Sequence, residues 1–240
     1  MIEIKNVSKS YLKGNKIIDD LNMKIDNGKI FAFLGPNGVG KTTTIKMMTG
    51  ILSMDKGDIL IDGKSIINTP VEAKKRFGYV PDSPDMFLNL KGIEYLNFIA
   101  DIYNVSKEKA NERIEKYSKK FKIYDRLNEK METYSHGMRQ KIVIIGALLH
   151  EPQNLILDEP LTGLDPEASY YLKEIMREYV EKGKCVFFST HVLEVAEKLC
   201  DEIAIINKGK IVLQGEYNQI KTKFEKEESL EEIFMQIVRH

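Results

Sequence analysis

Gly35-Pro36-Asn37-Gly38-Val39-Gly40-Lys41-Thr42 is the stretch whose reading decides the fold of this chain. It fits G-x-x-x-x-G-K-[ST]. The apolar run Ile30-Phe31-Ala32-Phe33-Leu34 precedes it and Thr43-Thr44-Ile45-Lys46-Met47-Met48 follows. A short apolar run stopped by glycine reads as a buried strand and the segment after Lys41 as a helix, which is the context the motif requires. Glycines let successive backbone N–H groups converge on a phosphate without Cβ interference, and the helix N-terminus adds the positive end of its dipole. Gly35, Pro36, Asn37, Gly38, Val39, Gly40, Lys41, Thr42 and Thr43 are therefore the candidate phosphate-binding residues. Lys41 is placed to reach β- and γ-phosphates, and the Thr42 hydroxyl to ligate Mg²⁺. A glycine-rich turn that matches by accident is the competing reading, and the flanking strand and helix weigh against it.

At 240 residues the chain can bury a large core as one big domain or two small ones. Lys plus Arg and Asp plus Glu both number 36, so no overall field draws it to nucleic acid or an anionic membrane surface. No apolar run approaches the ~18 residues that span a bilayer, and Met1-Ile2-Glu3-Ile4-Lys5 does not open a signal peptide. The expectation is a soluble, cytosolic chain. Cys185 and Cys200 have neither C-x-x-C nor zinc spacing and read as core thiols.

Outward from the glycine loop, Ile2-Glu3-Ile4-Lys5-Asn6-Val7 alternates as a half-buried strand does, and Tyr11 follows in a polar loop over residues 8–14. A tyrosine there can lie flat on an adenine ring or simply be a surface residue beside a hairpin. Gly57-Asp58-Ile59-Leu60-Ile61-Asp62-Gly63 reads as a hairpin segment and Arg76-Phe77-Gly78-Tyr79-Val80-Pro81 as a short strand. Residues 85–132 read as helices: Ile93, Leu96, Ile99, Ala100 and Tyr103 recur at helical spacing, and residues 107–120 form a charged, solvated face. Strands return at Leu155-Ile156-Leu157-Asp158, at Cys185-Val186-Phe187-Phe188-Ser189-Thr190 and at Ile203-Ala204-Ile205-Ile206-Asn207. Helices over residues 167–182 and 193–199 separate them. Residues 208–215 read as a terminal hairpin, and Leu230, Ile233, Phe234, Ile237 and Val238 mark one face of a final helix. Buried strands alternating with helices predict an α/β fold with a largely parallel sheet.

In such sheets ligands sit beyond the carboxyl ends of the strands, so the phosphate loop, Asp158, Glu159 and His191 are expected to converge at one edge. Asp158 is placed to hold Mg²⁺ or its water, and Glu159 to polarise an attacking water. His191 can donate to a γ-phosphate oxygen. Two carboxylates at a strand end can also cap a turn, and a lone histidine is more often structural; both gain weight from the phosphate loop in the same chain.

Tyr134-Ser135-His136-Gly137-Met138-Arg139-Gln140-Lys141 resembles the signature sequence of ABC ATPases, the nucleotide-binding subunits of ABC transporters. Gly163-Leu164-Asp165-Pro166 resembles that family's D-loop, Thr190-His191 its switch histidine and Tyr11 its adenine-stacking aromatic, all in family order. The resemblance implies a P-loop NTPase: a RecA-like core, an N-terminal antiparallel β part and an inserted α-helical subdomain. It sets residues 1–82 and 146–220 as core, 83–145 as helical insert and 221–240 as a C-terminal amphipathic tail. It also implies ATP and Mg²⁺ as ligands and hydrolysis with Glu159, His191 and Lys41 as catalytic residues. Two subunits would close head to tail, Ser135 and Gly137 meeting the other subunit's γ-phosphate from the start of a helix over residues 138–149. The further partner is a multi-span membrane permease at the cytoplasmic face, with no nucleic acid involved. A soluble ABC ATPase acting on ribosomes or DNA is the alternative; those usually carry two cassettes or a long coiled coil, and this chain has one cassette and no sustained heptads.

Two departures stand out. Asp82 occupies the place where the family usually has Gln, a third candidate metal contact with Thr42 and Asp158 but one that adds negative charge beside the phosphates. His136 and Met138 replace the commoner Gly and Gln, as in bacterial cassettes serving a separate ABC-2 exporter subunit. Ser83-Pro84-Asp85-Met86-Phe87-Leu88-Asn89 then matches the groove that receives a coupling helix from that subunit, unless Met86 to Leu88 pack inside the helical subdomain.

Overall fold

The computed structural model describes residues 1–12, 15–223 and 229–238. Strand β3 (Ile30–Leu34) is buried at every position because it has a layer on each face. Phe31 and Phe33 join one apolar cluster and Ile30, Ala32 and Leu34 the other, as the two-residue period of a strand requires. Around it runs a six-stranded sheet in the order β10-β9-β3-β8-β7-β6. Its members are β6 (Phe77–Val80), β7 (Asn154–Asp158), β8 (Cys185–Thr190), β9 (Glu202–Asn207) and β10 (Lys210–Glu216). All neighbours are parallel except the β9–β10 hairpin. A second, antiparallel sheet has the order β2-β1-β4-β5, from β1 (Ile2–Leu12), β2 (Asn15–Ile25), β4 (Lys56–Ile61) and β5 (Lys64–Ser65). Between the sheets lies helix α1 (Lys41–Met48), whose Ile45, Met47 and Met48 are buried. The short α2 (Pro70–Lys74) leads into β6.

The expected helical segment consists of α3 (Gly92–Ile102), α4 (Lys107–Lys120), 3₁₀ turns at Tyr124–Arg126 and Met131–Thr133, and α5 (His136–Leu148). Ala110, Ile114 and Ser118 are the buried positions of α4, so its charge run lies on the solvated side. Helix α5 leans closely on β6: a Cβ at Gly78 would lie 2.2 Å from the Ala147 carbonyl oxygen. α5 also runs through residues 145 and 146, where the helical insert was expected to end. Helices α6 (Pro166–Glu181) and α7 (Leu193–Leu199) cover the sheet near their expected positions. At the end come α8 (Tyr217–Lys223) and α9 (Leu230–Val238); Leu230 and Ile233 are fully buried, and α9 packs on α7. The Val238 side chain, expected on the same face, lies outside the described residues, as do Lys13 and Gly14 of the expected loop.

Two local expectations are corrected. Tyr11 stands in β1 rather than in a loop, because Lys9, Ser10 and Leu12 pair with Ile18, Lys16 and Asn15 across a bulged, polar ribbon. The register shifts there erase the alternation that would have marked a strand. Helix α5 begins at His136, two residues before the expected 138, because Ser135 caps it by accepting from the Met138 N–H at 3.3 Å. Of the two readings left open for Met86 to Leu88, neither is complete: Met86 and Phe87 are 40% and 48% exposed beside Phe98 at 43%, Leu88 is half-buried, and the Phe87 ring lies against Tyr95 and Phe98. No helix among the described residues is long and apolar enough to cross a membrane.

Candidate active site

The loop between β3 and α1 is shaped by close approaches. A Cβ at Gly35 would lie 2.6 Å from the Ile206 oxygen, and Gly40 has φ 112° with Ile18 Cδ1 2.5 Å from where its Cβ would stand. Only glycine fits either place without displacement. Gly40 is the N-cap of α1 and offers no side-chain acceptor, so the helix's first N–H groups remain directed into the loop. Lys41 is buried; its ammonium donates to the carbonyls of Gly35 at 2.7 Å and Pro36 at 3.2 Å and stands 3.8 Å from Glu159 Oε1. Burial lowers its pKa, and Glu159, Asp158 and Asp82 pull the other way.

Sheet register brings the second group of residues to this loop. β7 and β8 align Asp158 with Ser189, and β3 and β8 align Leu34 with Thr190, so all three strands end at one edge. Asp158 is fully buried. Its Oδ1 accepts from the Ser189 hydroxyl at 2.5 Å, the Thr42 hydroxyl lies near the same carboxylate, and its Oδ2 is buried with no protein donor. Burial raises its pKa, helped by the charges of Asp82 and Glu159 and opposed by the Ser189 and Thr42 hydroxyls. Glu159 sits on a turn with φ 47°; its Oε1 is 3.0 Å from His191 Nδ1. His191 is half exposed, and Glu159 mostly covered. Tyr11 lies above, its hydroxyl 3.4 Å from Thr43 Oγ1 and its ring exposed.

An orphaned, buried carboxylate oxygen beside a threonine hydroxyl is the oxygen donor set that a hard divalent cation completes. No cluster of three or more His, Cys, Asp or Glu side chains suited to metal occurs among the described residues. Ser135 and Gly137 stand at the start of α5, where Gly137 lies against a different partner, the Gly163 turn, whose carbonyl oxygen would lie 2.4 Å from a Cβ there. Ser189 escapes a reading of the sequence although it organises the site: its hydroxyl donates to Asp158 and accepts from the Glu159 N–H at 3.1 Å. The only signal was its place at the end of an apolar run, and its meaning depended on knowing that β7 and β8 are neighbours.

A phosphate loop between β3 and α1, two carboxylates ending β7 and a histidine ending β8, on one edge of a parallel sheet, define a P-loop ATPase. Residues 18–162 match the ABC transporter family, and the chain belongs to that family as an ATP-binding, ATP-hydrolysing subunit. Among its relatives are two Bacillus subtilis proteins. One is the uncharacterized ABC transporter ATP-binding protein YhcH, 43% identical over 88% of this chain and 68% of the relative. The other is the linearmycin resistance ATP-binding protein LnrL, 34% identical over 90% of this chain and 69% of the relative. A solved ATP-binding subunit of an ABC transporter superposes with a TM-score of 0.93 at 33% identity, covering 99% of both chains.

Proposed function

We propose that this chain is the motor subunit of an exporter, in which ATP closes two cassettes head to tail and hydrolysis reopens them. The observation that carries the chemistry is the meeting of Glu159 Oε1 with His191 Nδ1 at 3.0 Å and Lys41 Nζ at 3.8 Å beside a buried Asp158. Lys41 and the backbone N–H groups of residues 35 and 37–43 bind the β- and γ-phosphates, and Tyr11 stacks on the base. Thr42 and Asp158, with Asp82 nearby, would hold Mg²⁺, which would supply positive charge against the phosphates. Glu159 takes the proton of a water attacking the γ-phosphorus as the bond to the β-phosphate oxygen breaks. His191, with Nδ1 turned to Glu159, presents Nε2 for the γ-phosphate. Ser135 and Gly137 serve the nucleotide of the second subunit. Ser135 is exposed, and it caps α5 through a single bond to Met138, which leaves the first N–H groups of a 13-residue helix for an anion.

The second partner is a multi-span membrane subunit docking on Met86, Phe87 and Phe98, which would hold the chain at the cytoplasmic face. An aromatic cluster with rings 5.6 Å apart (Phe87–Phe98), left facing solvent, suits an apolar helix. The resistance role in the name of LnrL supports export. The division into core (1–82 and 146–220), helical insert (83–145) and C-terminal segment (221–240) is part of the same proposal. The test is a pull-down of tagged Glu159→Gln protein from detergent-solubilised native membranes with ATP. One dominant multi-span protein is the expected result; ribosomal or DNA-maintenance proteins instead would overturn the export reading and leave the ATPase chemistry standing.

A further inference from the structure

Between the exposed aromatic cluster and the start of α5 lies a set of polar contacts that phosphate chemistry does not use. Arg139, in the first turn of α5, donates from its Nε to the Met131 carbonyl at 3.0 Å and from one terminal nitrogen to the Glu132 carbonyl at 3.0 Å. Its other terminal nitrogen donates to Asp85 Oδ1 at 2.6 Å. A planar fork that spends all three nitrogens on fixed acceptors holds its helix in one orientation. The side chain is only 20% exposed, so water competes weakly for these bonds.

Asp85 belongs to the loop that carries Met86 and Phe87. That loop is itself laced to residues 131 and 132: Met131 N–H donates to the Leu90 carbonyl at 2.8 Å and Glu132 N–H to the Leu88 carbonyl at 2.9 Å. Phe87 has φ 57°, an unusual backbone for a bulky side chain, and it aims the ring at Tyr95 and Phe98. Displacing the aromatic cluster therefore moves a strained turn whose next-door carboxylate is bonded to the signature helix. On its other side the helix is tied to the turn that follows Glu159: Lys141 Nζ meets Asp165 Oδ2 at 2.6 Å.

We propose that Asp85 and Arg139 are a positioning pair through which the loop of residues 83–90 sets the orientation of the α5 N-terminus, and with it Ser135. The pair touches neither nucleotide nor reacting atoms. The proposal rests on the docking and head-to-tail readings above for its purpose in transport, while the mechanical link stands on the contacts alone. A load on Met86 and Phe87 reaches Ser135 through one ion pair and one helical turn. The signature's grip on the neighbouring nucleotide then depends on what occupies the aromatic face.

Hydrogen exchange on the full nucleotide-free chain tests the link. Asp85→Asn is expected to speed exchange in peptides covering residues 131–140 about fivefold, as loss of one charged hydrogen bond allows. Peptides covering β7 and β8 should not change, and Asp85→Glu should restore protection. An equal rise across the chain, or none at residues 131–140, overturns the proposal. Phe87→Ala alone should speed the same peptides about threefold and add nothing in the Asp85→Asn background; simple additivity overturns the relay. In Glu159→Gln protein, Asp85→Asn should weaken ATP-driven dimerisation about fivefold while ATP affinity of the monomer is unchanged. If Glu159→Gln protein forms no dimer with ATP, the head-to-tail reading fails, and the exchange cycle decides the pair by itself.

Discussion

Asp158 and Glu159 are consecutive, and in an extended strand consecutive side chains point to opposite faces. The left-handed backbone at Glu159, φ 47°, breaks that alternation, so one carboxylate meets Thr42 and the other Lys41 and His191. Such a conformation costs a non-glycine residue about 1 kcal/mol or more, a strain that sits at the proposed catalytic base. With Glu159 as base, Glu159→Gln should cut steady-state ATP turnover ~10²-fold or more and leave nucleotide binding intact. Turnover near the wild-type rate would remove Glu159 from that role. Asp158 makes a prediction of opposite sign for stability. Its pKa is raised in the folded chain, so its ionised form is a burden, and stability falls as pH rises from the ordinary carboxylate range through the raised value. Asp158→Asn should therefore stabilise the nucleotide-free protein at pH ~7 by about 1 kcal/mol and abolish further stabilisation by Mg²⁺ with ATP. Melting curves with and without the ligands check both halves. The candidate residues at this scale were legible because they stand inside short motifs. Ser189 and the Asp85–Arg139 pair were not, since each depends on a neighbour supplied by another segment.

The elements meet most tightly where α5 crosses β6. Gly78 leaves no room for a methyl group, with Ala147 O 2.2 Å from a Cβ there, so Gly78→Ala should cost about 2–3 kcal/mol, read as a lowered denaturation midpoint. His150, just past α5, closes the same junction. Its ring stacks on Tyr103 with centroids 3.6 Å apart, and Nε2 donates to the Phe77 carbonyl at 3.1 Å, leaving Nδ1 buried and unpartnered. Burial brings its pKa from 6.5 down to about 4. The folded value lies below the unfolded one, so the unfolded chain takes up the proton first. The stability contributed by the neutral ring is complete above pH 6.5 and is lost as pH falls toward about 4, at most about 3 kcal/mol. His150→Gln should flatten the melting temperature against pH in that window relative to wild type; an unchanged slope would dismiss the histidine as its source. Strands whose apolar runs face two layers, such as β3 and β7, could be read from sequence. The outer half of β1 could not, because its polar residues and bulges carry no period.

At the scale of the whole molecule, the phosphate loop and the signature lie on one chain, and among the described residues no hydrogen bond or ion pair joins them. Lys41 and Asp158 converge with Glu159 and His191, whereas Ser135 caps α5 and Gly137 stands against the Gly163 turn. A second copy is the economical way to join them, and Ser135→Arg should abolish turnover while the monomer binds ATP as tightly as before, measured by nucleotide titration. Weaker binding to the monomer would place the serine in its own chain's site. The order of motifs gave the architecture away early; the path of the C-terminal segment had to be seen, because Leu230 and Ile233 mark an apolar face without naming α7 as its cover. The signature and the Gly163 turn share one further property. The ring of His136 fills the volume beside Gly163, whose Cβ would stand 2.4 Å from His136 Cδ2, so positions 136 and 163 divide a single allotment of space. Sequence divergence can enlarge either of them only while the other stays small, and a histidine in this signature is tolerated because its counterpart 27 residues later has no side chain.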